Sequence, residues 1–222
     1  MINYKAVIFD LDGTLVDTIL DIANSMNRVL ESMGLAPHSV SEYYGFVGAG
    51  LTELCRRVLP ENMRDETTLL RYRELFNQDY HESWNKFTQP YQGIKELLEY
   101  LNSVNIPISV LSNKPEEFCQ IVVDFYFPKI NFALVKGNVD AIPPKPDPAG
   151  GMKIVNYLKL KPEEVFLVGD SDIDMQTATN CGFTGLGAEW GFRSKKELVE
   201  SGAEMTFASP NDLLFFLTQI MQ

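Results

Sequence analysis

The sequence predicts an α/β protein, a doubly wound parallel sheet interrupted after its first strand by a block of helices, and three patterns carry that prediction. From Pro90 onward, short apolar runs alternate with amphipathic stretches, the rhythm of strands joined by crossover helices. Between about Asp17 and Tyr80 the periodicity is helical and no run reads as a strand. The apolar runs also end in polar segments, as expected where an open α/β sheet holds its ligands beyond the carboxyl ends of its strands.

Ala6-Val7-Ile8-Phe9 reads as a strand buried on both faces. Ile19, Ile22, Ala23, Met26, Val29, Leu30 and Met33 then mark one face of a helix that Gly34 stops. Helical stretches around Thr52–Leu59 and Thr68–Trp84 follow a glycine-rich break at residues 45–50. After Pro90 come a helix from about Gly93 to Leu101, the apolar run Ile106–Leu111 and a helix from about Glu116 to Tyr126. A short strand at Leu134-Val135, a helix over Ala149–Leu158, a strand over Val165–Val168 and a helix over Met175–Cys181 continue the alternation. The expected organisation is a discontinuous Rossmann-like core of residues 1–15 and 89–222, with a helical cap at 16–88. Repeats and low-complexity segments are absent, and Pro143-Pro144-Lys145-Pro146-Asp147-Pro148 reads as a rigid loop.

An apolar fraction of 45% and a charged fraction of 22% suit an ordinary globular chain. The net charge of -11 repels nucleic-acid phosphates and anionic membranes, so neither is an expected partner, and a phosphate-bearing ligand must meet a local cation or metal. Cys55, Cys119 and Cys181 lack CxxC spacing and suggest neither a disulfide framework nor a zinc site. The N-terminus enters a strand without a basic region and cleavable apolar stretch, which leads to the expectation of a cytoplasmic protein. A monomer and a homodimer are both compatible with the sequence.

Chemistry concentrates at the predicted strand ends. Asp10 and Asp12 lie two apart and project to one side of an extended segment, just before the turn that Gly13 permits. An Asp-Gly pair is also a common turn, so the segment gains weight from the rest of the chain. Ser112 and Asn113 offer a hydroxyl, an amide and backbone N–H groups near a helix start, where an anion is favoured. Asp170 and Asp174 follow the run at Val165–Val168. With Asp10 they would repel one another unless a hard, oxygen-loving cation joined them, and Mg²⁺ is the usual choice beside a phosphate. Lys145, in the proline-fixed loop, can set an ammonium against the substrate anion.

The order Asp-x-Asp-Gly-Thr, Ser-Asn, Lys-Pro-Asp-Pro and Gly-Asp-Ser-x-x-x-Asp resembles the haloacid dehalogenase-like superfamily of phosphotransferases across essentially the whole chain. Within it, Leu15-Val16-Asp17-Thr18, the Gly48-x-Gly50-Leu51 segment and Trp190-Gly191-Phe192-Arg193 look most like phosphoglycolate phosphatases. The resemblance implies that Asp10 is the nucleophile and that Asp12 is the general acid and base, kept protonated on binding by crowding carboxylates. It implies Mg²⁺ held by Asp10, the Asp12 backbone carbonyl and Asp170, and phosphate oxygens held by Ser112, the Asn113 backbone and Lys145. Asp174, helped by Ser171, would act as an outer partner of Lys145 or of metal-bound water. Gly48 and Gly50 could bring cap backbone to a small phosphate ester, and Arg56 or Arg57 could face its carboxylate, although a solvated helix face suits the arginines better. Trp190 and Phe192 read as packing, and His38 and His81 carry no role. A β-phosphoglucomutase-like phosphomutase, an inorganic pyrophosphatase and a non-catalytic binding module on the same fold are the competing readings. The mutase reading is weakened because Leu20-Asp21-Ile22-Ala23-Asn24 lacks the basic pair such enzymes carry there.

Overall fold

The computed structural model describes residues 4–139 and 141–220. Its first half runs β1 (Ala6–Phe9), β2 (Val16–Asp17), α1 (Ile19–Ser32), α2 (Val40–Phe46), α3 (Leu51–Val58), α4 (Glu66–Ser83) and β3 (Gln89–Pro90). The second half alternates: α5 (Ile94–Ser103), β4 (Ile108–Pro115), α6 (Glu116–Tyr126), β5 (Phe132–Asn138), α7 (Ala149–Leu158) and β6 (Val165–Gly169). It closes with α8 (Asp172–Cys181), β7 (Thr184–Ala188), α9 (Lys195–Glu200), β8 (Met205–Phe207) and α10 (Pro210–Ile220). Six strands pair in the order β5-β4-β1-β6-β7-β8, each neighbouring pair parallel, which is the α/β sheet the alternation predicts. The order reverses direction at β1, so the ligand crevice of such a sheet falls beyond the carboxyl ends of β1 and β6.

β1 is central because all four of its residues are apolar and fully buried. Ala6 and Ile8 face a cluster with Ile154 and Val155 of α7 and Ala178 of α8, whereas Val7 and Phe9 face Leu97 of α5, Val122 of α6 and Leu213 of α10. The period-two alternation of a strand thus distributes one apolar run between two helical layers.

The helices α1–α4 lie between β2 and β3, which pair antiparallel through Val16↔Pro90 and Asp17↔Gln89. We place the boundary between core and cap at this pair, beside residues 15/16 and 88/89, because the chain leaves and returns there through adjacent strands. Asp21 of α1 fastens the return, accepting from the N–H of Phe87 at 2.9 Å and from the N–H and hydroxyl of Thr88 at 2.7 and 2.8 Å. α1 buries Ile19, Ile22, Ala23, Met26, Val29 and Leu30 along one face. Each large apolar side chain so buried contributes roughly 1.5–3 kcal/mol. Tyr72 of α4 ties the two long helices together, its hydroxyl donating to Met26 O at 2.7 Å.

Element lengths differ from the sequence reading where apolarity is a poor guide. β5 extends from Phe132 to Asn138 rather than over Leu134-Val135, because pairing with β4 continues through polar residues at the sheet edge. β4 carries Ser112, Asn113 and Lys114 within it rather than beyond its end. β7 escapes a periodicity reading because Gly185 and Gly187 interrupt its apolar pattern. Among the described residues, no helix is long and apolar enough to cross a membrane.

Candidate active site

Asp10 leaves the end of β1, its N–H still donating to Val168 O of β6 at 2.9 Å, so its side chain is fixed by the central ladder. Gly13 has φ +86°, and a Cβ there would lie 2.3 Å from Asp170 Oδ2. Glycine therefore supplies both the turn and the room for β6's acid. Asp170 accepts from the Thr14 hydroxyl at 3.0 Å and from the Phe192 N–H at 2.7 Å, while Trp190 Nε1 donates to Thr14 O at 3.0 Å. Asp174 sits at the start of α8, where Ser171 and Asp174 cap one another through backbone N–H groups at 3.1 and 3.3 Å. A Cβ on Gly169 would lie 2.3 Å from Asp174, so this approach too requires glycine.

Lys145 joins these acids. Its Nζ lies 2.6 Å from Asp174 Oδ1 and 2.9 Å from Asp10 Oδ1, all three groups being buried. The Asp10 contact is an ion pair off hydrogen-bonding alignment, leaving Asp10 Oδ1 buried without a hydrogen bond. Burial first, and Asp174 second, push the Asp10 carboxyl up to about 7 against the opposing pull of Lys145. Burial, Asp174 and Asp10 also raise Asp170 well above the usual carboxylate range. Burial acts to lower the Lys145 ammonium, but Asp10 and Asp174 overcome it and hold it above the usual lysine range.

Asp10, Asp170 and Asp174 each offer an oxygen within 4.8 Å of the others. Asp174 is already paired with the Lys145 ammonium and held by Ser171, whereas the donors to Asp170 are the neutral Thr14 hydroxyl and Phe192 N–H, so Asp170 beside Asp10 suits a cation better. Two buried, mutually repelling carboxylates, with the Lys145 ammonium shared between Asp10 and Asp174, fit a hard divalent ion such as Mg²⁺.

Asp12 has a neighbour that spacing does not indicate: the cation Lys114, with Nζ 3.1 and 3.3 Å from its two oxygens. Lys114 also donates to the Tyr80 hydroxyl at 3.0 Å, linking β4 to α4. Burial acts to lower its ammonium, but Asp12 and Tyr80 raise it above the usual range, while burial pushes the Tyr80 phenol up to about 12. Neither the Lys114 contact nor Tyr80 was legible from spacing, since the three residues come from separate segments.

Ser112 lines the cleft with Asp10 and Asp12, its Oγ accepting from the Lys114 N–H at 3.3 Å. Asn113 proves to be a staple. Its carboxamide accepts from the Lys145 N–H at 2.7 Å and donates at 3.0 Å both to Lys145 O and to Gly48 O. Gly48 and Gly50 are thereby held at the cleft, and Arg193 supports the same loop by donating to Tyr44 O and, at 3.0 Å, to Val47 O. Arg57 is committed elsewhere, to Glu53 and to the carbonyls of Gly45 and Phe46, each at 3.1 Å. Arg56 pairs with Glu53 at 3.4 Å and lines a different groove, so the structure brings neither arginine to the acids. His38 bonds Val58 O at 2.9 Å and Glu42 at 3.2 Å, within the helical block.

The cleft itself is a cavity of about 60 Å³. Asp10, Asp12, Ser112 and Lys114 line it together with Leu51, Leu54 and Phe76 of the helical block.

The haloacid dehalogenase-like hydrolase family model matches residues 7–188. A curated relative from Aquifex aeolicus, named phosphoglycolate phosphatase, is 30% identical over 210 residues that make up 95% of each chain. Among solved structures, a protein from Lactobacillus delbrueckii subsp. bulgaricus is 29% identical with a TM-score of 0.89, covering 97% of this chain and 98% of that one. Another, from Haemophilus somnus and described as a predicted phosphoglycolate phosphatase, is 26% identical with a TM-score of 0.90, covering 97% and 99%. With a match running from β1 to the last residue of β7, and relatives alike over nearly their whole length, the chain belongs to the haloacid dehalogenase-like hydrolase family.

Proposed function

We propose that this hydrolase removes phosphate from a small organic monoester in two steps, through an aspartyl-phosphate on Asp10, with Mg²⁺ as its metal and 2-phosphoglycolate as its substrate. The observation that carries the reading is the convergence of buried Asp10, Asp170, Asp174 and Lys145 beside Asp12 at the carboxyl ends of β1 and β6. That the Aquifex aeolicus relative is named phosphoglycolate phosphatase and the Haemophilus somnus one is described as a predicted phosphoglycolate phosphatase supports the choice of ester.

A carboxylate oxygen of Asp10 attacks phosphorus and the bond to the leaving alcohol breaks, while Asp12 gives that alkoxide a proton. Water then attacks the aspartyl-phosphate, Asp12 takes its proton, and orthophosphate leaves with the Asp10 carboxylate restored. Asp10, Asp170 and the Asp12 backbone carbonyl would hold Mg²⁺, which supplies positive charge beside the phosphate dianion and polarises the transferring group. Lys145 and Ser112 meet the phosphate oxygens, where charge is spread in the transition state. Asp174 keeps Lys145 in place, and Asn113 fixes that lysine's peptide against the cap loop. The helical block covers the leaving group and excludes water, in a protein we place in the cytoplasm.

The phosphomutase reading finds less support, because Asp21, in the stretch where a basic pair would stand, is occupied by Phe87 and Thr88. Pyrophosphatase activity would put a second phosphate, with more negative charge than one carboxylate, into a cleft whose described lining offers one cation, Lys114, beside the apolar Leu51, Leu54 and Phe76. The test is phosphate release over a panel of monoesters with Mg²⁺ or EDTA. Release that requires Mg²⁺, favours 2-phosphoglycolate and falls by about a thousandfold or more in Asp10→Asn is the expected result. Undiminished release in that variant would remove Asp10 as nucleophile.

A further inference from the structure

The part of the substrate that leaves as alcohol must occupy the cleft end walled by Ile22, Val47, Leu51, Leu54, Phe76 and Phe118. An uncompensated carboxylate cannot be moved from water into such surroundings without a large penalty. Among the described residues lining this cleft, Lys114 is the only cation. Arg57 is turned to Glu53 and to backbone carbonyls, Arg193 to the carbonyls of Tyr44 and Val47, and Lys145 to Asp10 and Asp174. Lys114 is buried, yet its contacts with Asp12, at 3.1 and 3.3 Å, are longer than those of Lys145 with its acids, at 2.6 and 2.9 Å. Its ammonium is held beside Asp12 and the Tyr80 hydroxyl, at the wall of the cleft. Asp12 is the group that touches the ester oxygen in the proposed reaction. A carboxylate borne on the ester-bearing carbon lies two bonds from that oxygen, within the reach of the same ammonium.

We propose that Lys114 is the residue that selects the substrate: it pairs with a carboxylate carried on the carbon next to the ester oxygen, so the preferred leaving groups are short α-hydroxy acids. The inference rests on the phosphatase reading and names the group that decides which ester is taken. Asn77 lines the same cavity and its Oδ1 is buried without a partner, which makes a leaving group with a hydrogen-bond donor the direct competitor.

The experiment compares kcat/KM for 2-phosphoglycolate, ethyl phosphate and 2-hydroxyethyl phosphate, which share a two-carbon skeleton and differ in what the far carbon carries. The wild-type protein should favour 2-phosphoglycolate over either alternative by about tenfold or more. In Lys114→Met all rates fall, because Asp12 loses a neighbour, but the ratio of 2-phosphoglycolate to ethyl phosphate collapses toward one, mostly through KM. Lys114→Arg restores part of the ratio. A role confined to holding Asp12 predicts instead that all three esters lose rate equally and that the ratio persists, and this outcome overturns the proposal. So does a wild-type preference for 2-hydroxyethyl phosphate, or no preference at all; these wild-type ratios decide the matter even where Lys114→Met fails to fold. Absence of Mg²⁺-dependent release from every ester overturns the phosphatase reading and this inference with it.

Discussion

At the phosphate end of the cleft, Lys145 meets Asp10 and Asp174 at 2.6–2.9 Å, and Asp170 is pinned by Thr14 and by the Phe192 N–H. At the leaving-group end, the wall is apolar, Asn77 Oδ1 has no partner, and the charged contact of Lys114 with Asp12 is longer. The first end is built from strand termini and from a loop tied to them by Asn113, the second largely from helices returned to the sheet by the β2–β3 pair. Dense, short, buried interactions preorganise one chemistry, whereas a sparse apolar wall with a few polar groups can be retuned without disturbing that chemistry. Perturbing the two ends should accordingly give different kinds of loss: rate at the first, discrimination at the second.

Of the changes that probe this contrast, Lys145→Met has the largest expected effect. It leaves Asp10 and Asp174 buried without their cation, a loss of about 3–5 kcal/mol for a broken buried pair. It also removes a donor to the phosphate, which lowers kcat by about 10²–10³-fold. Steady-state kinetics at saturating Mg²⁺, with thermal melting beside them, check both. Comparable losses for every ester fit the contrast between the ends; a loss confined to one ester breaks it.

The second effect is on stability. The Asp10 carboxyl, pushed up to about 7 chiefly by burial, binds its proton more tightly in the folded than in the unfolded chain. Its contribution is therefore fully present below the ordinary aspartate range and is lost as pH rises toward 7, and Asp170 acts in the same direction. The metal-free protein should melt lower at pH 8 than at pH 5, as far as these two acids decide it. Mg²⁺ should raise Tm more at pH 8 than at pH 5, with about 2–4 °C for each kcal/mol gained. An equal Mg²⁺ shift at both pH values would mean that these carboxylates are not its ligands.

A smaller effect tests the link between the ends. Asn113→Ala removes the hydrogen bonds that hold the Lys145 peptide and the one that reaches Gly48 of the cap loop. A loss of about tenfold in kcat/KM, shared by all esters, is the expected outcome. A change in the order of ester preference would show instead that the staple serves discrimination.

The phosphate end was far more legible in the sequence than the other. Asp10 and Asp170 each follow an apolar run that reads as a buried strand, and Lys145 stands in a proline-fixed loop, so local patterns already marked them as candidates at strand ends and in a loop. The crossover helices follow from the same alternation, whereas the strand order, with β1 between β4 and β6, emerges only in the folded sheet. The role of Lys114 is not legible locally, because its neighbours, Asp12 and Tyr80, are brought to it from segments distant in the chain. The Phe192 N–H was invisible for a related reason: a backbone donor has no residue type to betray it. Asn113 was assigned by its backbone because a strand-end amide gives no hint that its carboxamide will span a loop and a cap. Local pattern encodes strand-end chemistry, while contacts across the cap depend on tertiary packing that periodicity does not carry.

Arg56→Ala should have the smallest effect, and it bears on the contrast from the other side. By residue type alone an arginine is the natural partner of a substrate carboxylate, since its planar fork accepts two oxygens at once. Here the Arg56 guanidinium is half exposed, pairs with Glu53 at 3.4 Å, and lines a groove with Arg64 and Arg73 rather than the cleft of Asp10 and Asp12. An exposed pair of this kind contributes about 0–1 kcal/mol, so Arg56→Ala should leave KM for 2-phosphoglycolate within about twofold and Tm nearly unchanged. A selective rise in that KM, with ethyl phosphate unaffected, would mean that the helical block delivers Arg56 to the leaving group in a closed form. Discrimination would then lie with a surface helix rather than with a lysine on the central sheet, and the division between the two ends would have to be redrawn along the cap.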